Sequence, residues 1–499
     1  MGKKNIKKNV LFAASLQMTS TVCGFILPRL LIGSFGAEAY GLTTSIAQFT
    51  GYVTLLEGGV SGVVLAALYK PLANNNEERV SQIISTVGSF FYQIGLIIII
   101  YTIGLALCYP YFKRTPYSNS YIFAMVLVIS FRLLVQYFLS MKYRLLLTAD
   151  QKGYIVSVTH IFITWLNLGL AIIAIKLFND IIWVKLFSGM IFLLQPVVFG
   201  LYVKKRYKID KRAEKDKELI AQRWDGFGQN LAYFIHTNTD VVILTFFSSL
   251  ASITVYSIYL MIANALKSIV AIVSSSLGPS IGNVLAKDNT QESCSAFELY
   301  EFTVELLTFF LYSCGFVLLI PFVRIYTFGM TDAEYIQPLF GVILLLAEMA
   351  YCIRDPYVTV AYAKGHFRQT KRYAFGEAII NLLVSLCLVG RLGLIGVAAG
   401  TLISMSIRAV QQVYYLQKNI LCRSMYLFIK RMIVFGIGCI LTIFISWKLI
   451  PLNGTSYIQW IRDAVSVALI AAVIFGTLSF TIYRETVMRL VTKLVARRK

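Results

Sequence analysis

Long unbroken apolar runs, separated by short polar stretches, dominate the chain. Fourteen can be marked, at roughly 10–33, 42–68, 83–109, 119–141, 154–176, 181–203, 228–250, 254–284, 299–322, 336–362, 373–390, 393–416, 427–449 and 459–482. They do not alternate residue by residue, so they predict helices rather than barrel strands. Each can supply the roughly 20 residues that cross a hydrocarbon core of about 30 Å. The predicted fold class is an all-α integral membrane protein. Its fourteen transmembrane helices form two pseudo-symmetric six-helix bundles plus two C-terminal helices.

Two polar stretches organise this series. Residues 204–223 (KKRYKIDKRAEKDKELIAQR) form the long charged segment between the sixth and seventh spans. The tail RETVMRLVTKLVARRK places Val487, Leu490, Val491, Leu494 and Val495 on one helical stripe flanked by Arg489, Lys493 and Arg497, as expected of a helix lying on an anionic inner leaflet. The expected organisation is an N-terminal bundle over 1–203, a cytoplasmic linker over 204–226, a C-terminal bundle over 227–417, two extra spans over 418–483 and a basic amphipathic tail over 484–499. The halves look related. Residues 34–46 (SFGAEAYGLTTSI) and 250–262 (LASITVYSIYLMI) each enter a span through a tyrosine, Tyr40 and Tyr256. That is the pattern of a duplicated six-helix unit.

Composition agrees with the apolar pattern and narrows the class. The chain is 58% hydrophobic and 14% charged, against about 25% charged in soluble domains. A soluble enzyme, a disordered scaffold and a secreted disulfide protein are excluded. The eight cysteines are scattered without a CxxC and predict neither disulfides nor a metal centre. Lys3, Lys4, Lys7 and Lys8 precede an apolar run that continues to about Ile32, longer than a signal h-region. This predicts a retained first helix rather than a signal peptide.

The net charge of +22, from 46 Lys and Arg against 24 Asp and Glu, would suggest nucleic acid on a soluble protein. Placed on the spans, it reads differently. With the N-terminus inside, and with the six bases near the ends of apolar runs counted with the adjoining loop, 33 bases fall on the inner side, 8 on the outer side and 5 deeper within spans. That asymmetry predicts an even number of crossings with both termini cytoplasmic, and no nucleic-acid partner.

The five bases within spans are Arg29, Arg132, Lys267, Arg354 and Arg408. The acids singled out there are Glu57, Asp240, Glu348, Asp355 and Glu377, with His236 beside Asp240. A charge at a helix centre costs about 2.5–3.5 kcal/mol on insertion scales, so these residues should face a polar interior or pair with one another. Polar residues recur at helical spacing: Arg132, Gln136 and Ser140; Ser404, Arg408 and Gln411 or Gln412; Ser45, Gln48 and Tyr52; Tyr256, Asn264 and Lys267. Stripes on several helices predict a wet cavity.

Local alternatives stay open. Pro28 should break the first span, and Arg29 either lines the cavity with its five donors or snorkels to the outer headgroups. His236 and Asp240, one turn apart, suit H⁺ or Na⁺ coupling or a structural hydrogen bond. Glu348, Cys352 and Asp355 share a face, with an ion pair to Arg354 equally open. Gly58, Gly59 and Gly62 serve as a hinge or as a close-packing surface. P-loop and HExxH signatures are absent from the sequence, so no enzymatic activity is expected.

Residues 24–73 carry a resemblance. Pro28-Arg29, Phe35-Gly36, Glu38, Tyr40-Gly41, Ser45 to Phe49, Leu55 to Glu57 and Leu68 to Leu72 are similar to bacterial polysaccharide biosynthesis proteins. These are the Wzx-type flippases of the multidrug/oligosaccharidyl-lipid/polysaccharide exporter superfamily. The resemblance implies alternating access around a central cationic cavity, an undecaprenyl-diphosphate-linked glycan as substrate and a bacterial plasma membrane location. Membrane lipids and other polysaccharide assembly proteins would be partners. It implies no bound cofactor beyond H⁺ or Na⁺ as coupling ion.

Arg29 and Lys267 would take the roles of cavity bases on the first and eighth helices, with Arg132, Arg354, Arg408, Tyr40 and Tyr256 completing the substrate set. Asp240, His236, Glu57, Glu348 and Asp355 would respond to the coupling ion. The second span has no basic residue in its middle, and Leu30 stands where lipid II flippases carry an acid, which counts against lipid II. A multidrug cation antiporter of the same fold and a membrane glycan polymerase or glycosyltransferase are the competing expectations.

Overall fold

Inside a bilayer a backbone N–H or C=O finds no water, and an α-helix satisfies both from within. The computed structural model describes residues 2–57, 59–210, 213–216, 219, 224–285, 290–421 and 423–496. Among these it contains helices and no strand. In chain order they are α1 (Gly2–Gly51), a 3₁₀ segment (Tyr52–Glu57), α2 (Val60–Ala73), α3 (Glu77–Phe112), α4 (Asn119–Val135), a π turn (Gln136–Ser140), α5 (Met141–Ala149), α6 (Gly153–Leu177), α7 (Ile181–Ile191) and α8 (Leu194–Arg206). There follow α9 (Trp224–Phe247), α10 (Leu250–Leu285), α11 (Thr290–Tyr326), α12 (Pro338–Ala363), α13 (Phe367–Leu392), α14 (Leu394–Leu416), a second π turn (Gln417–Leu421), α15 (Tyr426–Leu449), α16 (Tyr457–Ile482) and α17 (Arg484–Ala496).

Eleven helices among the described residues are long and apolar enough to cross a membrane. With α2, α9 and the charge-bearing α12, the helices fall on the fourteen predicted spans. Side-chain caps start several of them. Asn76 accepts from the Arg79 N–H at 2.9 Å, Asp180 from Ile182 at 3.0 Å and Ser456 from Gln459 at 3.3 Å, each satisfying an orphan donor of a first turn. Ile100, Leu201, Trp447 and Ile458 are strongly exposed, the outward apolar surface that lipid requires.

Pro28 does not break the first span. α1 runs helical through Pro28, and its non-helical residue is Gly36, at φ 85 and ψ 168. Only glycine adopts that region without strain. Pro28 removes one ladder donor, but the turns on either side hold the helix. The second span passes through a 3₁₀ segment before α2. A Cβ at Gly62 would meet nothing within 4 Å, so Gly62 is not a close-packing contact; Gly58 lies outside the described residues.

The chain divides into two compact units, 1–254 and 255–499. In the first, α2, α3, α5 and α8 enclose a core containing Val64, Leu68, Val87, Phe91, Leu146 and Phe199. The charged segment after α8 docks, where described, on this unit. The Tyr207 hydroxyl donates to Asp150 at 2.5 Å, the Asp210 N–H to Ser81 Oγ at 3.0 Å, and the Asp216 N–H to Thr86 Oγ1 at 2.9 Å, while Arg79 pairs with Asp216 at 2.6 Å. Burial, and then the Asp150 carboxylate, push the Tyr207 phenol above its ordinary range.

In the second unit α13 and α14 pack closely through Gly396 and Gly400. A Cβ at these positions would lie 2.6 Å from Leu388 C and 2.9 Å from Ser385 N, so the four-residue glycine spacing sets the helix approach. α11 and α15 join through ions. Arg431 of α15, 1% exposed, donates to Glu301 at 2.6 Å and Glu305 at 3.4 Å, both on α11. Arg423 reaches Glu301 at 2.7 Å, and Tyr357 of α12 donates to the same carboxylate. The tail forms α17, whose Thr486 and Val487 are buried; Thr486 donates to Glu298 at 3.2 Å. The Val491, Leu494 and Val495 side chains lie outside the described residues.

Two stability changes follow. Gly36→Ala should lower stability by about 1–3 kcal/mol through backbone strain alone, read as a fall in melting temperature in detergent. Arg431→Met should cost about 3–5 kcal/mol by stranding the Glu305 carboxylate and removing one of the two cations on Glu301, and adding Glu305→Gln should recover part of it. Unchanged melting in either single variant would contradict the corresponding account.

Candidate functional site

The second unit gathers three of the five bases within predicted spans into one network. Lys267 lies on α10, Glu348, Tyr351 and Arg354 on α12, Glu377 on α13 and Arg408 on α14. Lys267 Nζ pairs with Glu348 at 2.7 Å. Its ammonium also stands 5.0 Å from the centre of the Tyr351 ring, and the Arg354 guanidinium 4.7 Å from the same ring. Arg354 then pairs with Glu377 at 2.6 Å, and Arg408 pairs with the other oxygen of that carboxylate.

Exposure is graded along the network. Glu377 is sealed at 0%, the Arg354 and Arg408 side chains stand at 5% and 10%, and Lys267 stands at 25%. The shared carboxylate neutralises one of two guanidinium charges, and Arg408 Nε is buried without a partner among the described residues. Lys267 is the network's accessible cation. Hydrogen bonds to charged groups in such surroundings contribute roughly 1.5–3 kcal/mol each, so exchange of a partner at Lys267 is energetically significant.

The remaining polar residues of α12 have separate partners. Asp355 accepts from Ser274, whose hydroxyl lies 2.6 Å from Tyr300, and Cys352 lies 3.6 Å from the Tyr312 hydroxyl. On α14 the buried stripe is Ser404, Arg408 and Gln412, each at most 8% exposed, which settles the choice between Gln411 and Gln412. Tyr256 is 3% exposed with its ring 5.9 Å from Phe340. Neighbouring Tyr259 donates to Tyr335 O and accepts from the Gln337 N–H. Both tyrosines sit in packed surroundings.

The first unit distributes its predicted residues differently. Arg29 is half-buried on α1 and Tyr40 half-buried beyond Gly36. Arg132 is exposed, with its guanidinium 3.8 Å from the centre of the Phe192 ring. The predicted stripe Arg132, Gln136, Ser140 does not continue on one face, because the π turn over Gln136–Ser140 inserts a residue. Ser140 is buried while Arg132 is not.

Glu57 accepts from Ser61 and, at 3.3 Å, from Tyr137. Asp240 is 5% exposed on α9; the His236 side chain lies outside the described residues. The stripe Ser45, Gln48, Tyr52 faces protein: Ser45 bonds Thr245 and Tyr109, each at 2.8 Å, Gln48 donates to Asn238, and the Tyr52 ring lies 4.9 Å from Phe234. It is a seam joining α1 to α3 and α9.

Sequence reasoning did not single out Glu301, Glu305, Arg423 and Arg431. The available signal was Glu301 and Glu305 at i, i+4 inside a predicted span. Arg431 was hidden because a base near a span's inner end reads as a topology charge.

No family model matches the chain, and no curated protein matches it in sequence. Solved structures do match. The lipid II flippase MurJ, in an inward closed conformation, aligns with a TM-score of 0.72 at 16% identity, covering 96% of this chain and 100% of that one. The MATE multidrug transporter DinF-BH aligns with a TM-score of 0.61 at 16% identity over 84% and 96%. A MOP-superfamily transporter from Pyrococcus furiosus, described as having a binding pocket of reversed polarity, aligns with a TM-score of 0.57 at 11% identity over 85% and 97%. The chain therefore has the multi-pass membrane fold shared by these flippase and MATE transporters.

Proposed function

We propose that this chain is a flippase of the Wzx type. It moves polyprenyl-diphosphate-linked oligosaccharides from the inner to the outer leaflet of a bacterial plasma membrane by alternating access of two bundles. The observation that carries this reading is the linked network of Lys267, Glu348, Arg354, Glu377 and Arg408, with its excess cation and its partly exposed ammonium. A diphosphate needs charge-assisted donors in a site of low dielectric. The fold supports the reading further. The flippase alignment extends over 96% of the chain and the DinF-BH alignment over 84%, a difference comparable to a two-helix hairpin such as α15–α16.

In this mechanism Lys267 exchanges Glu348 for a substrate phosphate. A proton or Na⁺ taken up by Glu348 compensates the carboxylate during the exchange, while Glu377 keeps Arg354 and Arg408 in place. Arg29 and Arg132, with Asp240, His236 and Glu57, are the first-unit residues assigned to substrate and coupling ion. Termini face the cytoplasm, and other polysaccharide assembly proteins receive the product.

A second reading, proton-coupled export of organic cations, is favoured by one observation. Within unit two, Glu348, Asp355 and Glu377 equal in number Lys267, Arg354 and Arg408. A cationic drug would then compete with Lys267 for Glu348.

Reconstituted vesicles separate the two. Wild-type protein should translocate a fluorescent lipid-diphosphate glycan, Lys267→Ala should slow it about ten-fold or more, as expected for a lost charged hydrogen bond, and Glu348→Gln should weaken its dependence on an ion gradient. Equal rates for wild type and Lys267→Ala would overturn the assignment. Export of fluorescent organic cations without glycan movement would establish the second reading. Stability should divide differently: Glu377→Leu, which strands two buried guanidiniums, should cost about 3–5 kcal/mol, and Lys267→Met clearly less, measured by thermal unfolding in detergent.

A further inference from the structure

A pocket of about 940 Å³ lies in the first unit. Its walls come from α3, α5, α8 and the segment docked after α8. Four lysines line it, Lys142, Lys204, Lys208 and Lys215, against a single carboxylate, Asp210. Lys142 reaches its place because α3 has no side chain at Gly88: a Cβ there would lie 3.3 Å from Lys142 Cδ and 3.7 Å from Nζ. The fourth wall is held in position by the bonds from Tyr207 to Asp150, from Asp210 to Ser81 and from Asp216 to Thr86.

The surroundings indicate what kind of anion fits. Tyr92, on the pocket wall, is 56% exposed. One to two turns further along α3, Leu96, Ile97 and Ile100 are 44%, 46% and 73% exposed, and Val197 and Leu201 of α8 are 52% and 65% exposed. Lipid-facing apolar surface therefore runs directly into a basic recess, with an aromatic residue at the boundary, the arrangement found where headgroups meet protein. The volume lies within the range of small-ligand pockets. Under the topology that the charge distribution predicts, this recess faces the inner leaflet.

We propose that this recess is a binding site for the phosphate-bearing headgroup of an anionic membrane lipid. The acyl chains lie along α3 and α8, and the ligand holds the segment after α8 in its docked position. A soluble phosphate would share the lysine chemistry but make no use of the apolar approach.

Native mass spectrometry of the full chain in detergent tests this with phosphatidylglycerol, phosphatidylcholine and inorganic phosphate as probes. Wild type should retain phosphatidylglycerol in preference to phosphatidylcholine. Each neutralised lysine should weaken that retention about five-fold, as expected per base near an anionic lipid surface, so Lys142→Gln with Lys208→Gln should lose about 25-fold. Lys208→Gln with Lys215→Gln, which alters only the segment after α8, should show a similar loss with the helical fold untouched. Millimolar inorganic phosphate should not displace the lipid. Equal retention of the two lipids, undiminished retention in both double variants, or displacement by inorganic phosphate would overturn the proposal.

Discussion

A carboxylate cut off from water must keep a cation, and in this protein that requirement decides which helices meet. Glu301 and Glu305 bind α11 to α15 through Arg431 and to the turn before α15 through Arg423. Glu377 binds α13 to α12 and α14 through Arg354 and Arg408. Such pairs add little net stability, since desolvation offsets their attraction, yet stranding one partner is expensive. Their effect is selective. An arrangement that separated α11 from α15, or α13 from α14, would bury an uncompensated charge. The close approach at Gly396 and Gly400 can then be short-ranged, because the ions have already fixed the partners.

The first unit meets the same constraint with neutral groups. Ser45, Thr245 and Tyr109 form a hydroxyl chain, Gln48 meets Asn238, and Glu57 is served by Ser61 and Tyr137. Neutral hydrogen bonds between membrane helices contribute modestly, about 0.6 kcal/mol on average in measured cases. They cost less to break than an ion pair. Two halves that look related in sequence thus differ at these helix seams: the α1 seam of one is built from hydroxyls and amides, and the α11–α15 and α12–α13–α14 seams of the other include buried ion pairs.

Much of this was legible beforehand, for a physical reason. Length and hydropathy report directly on the solvent around a helix, so the fourteen spans emerged from apolar runs alone. Bases in the middle of spans eight, ten and twelve stood out because lipid forbids them, and Lys267, Arg354 and Arg408 do share one network. What escaped depended on distances between helices. Arg431 could not be told from an inner-side topology charge, although it is among the most buried side chains. The stripe through Arg132 assumed an unbroken α-helix, and a π turn moved its second half to another face. Pro28 promised a break that the first span does not show, since one missing donor leaves the turns on either side intact; the residue at φ 85, Gly36, falls in the short connection to the second span. The docking of the charged segment rests on single hydrogen bonds to Ser81 and Thr86, which carry no periodic signal.

The Arg431 pairing also imposes an order in time. Its two carboxylate partners lie 130 and 126 residues earlier in the chain. At a synthesis rate of about 5–20 residues per second, α11 leaves the ribosome roughly 6–26 seconds before its cation exists. During that interval Glu301 and Glu305 must stay near water or be sheltered by the insertion machinery. α11 therefore cannot finish its assembly when it is made. The last helices of the protein complete one of its middle ones, and a nascent chain arrested before α15 would hold an apolar helix with two acids and no settled place in the membrane.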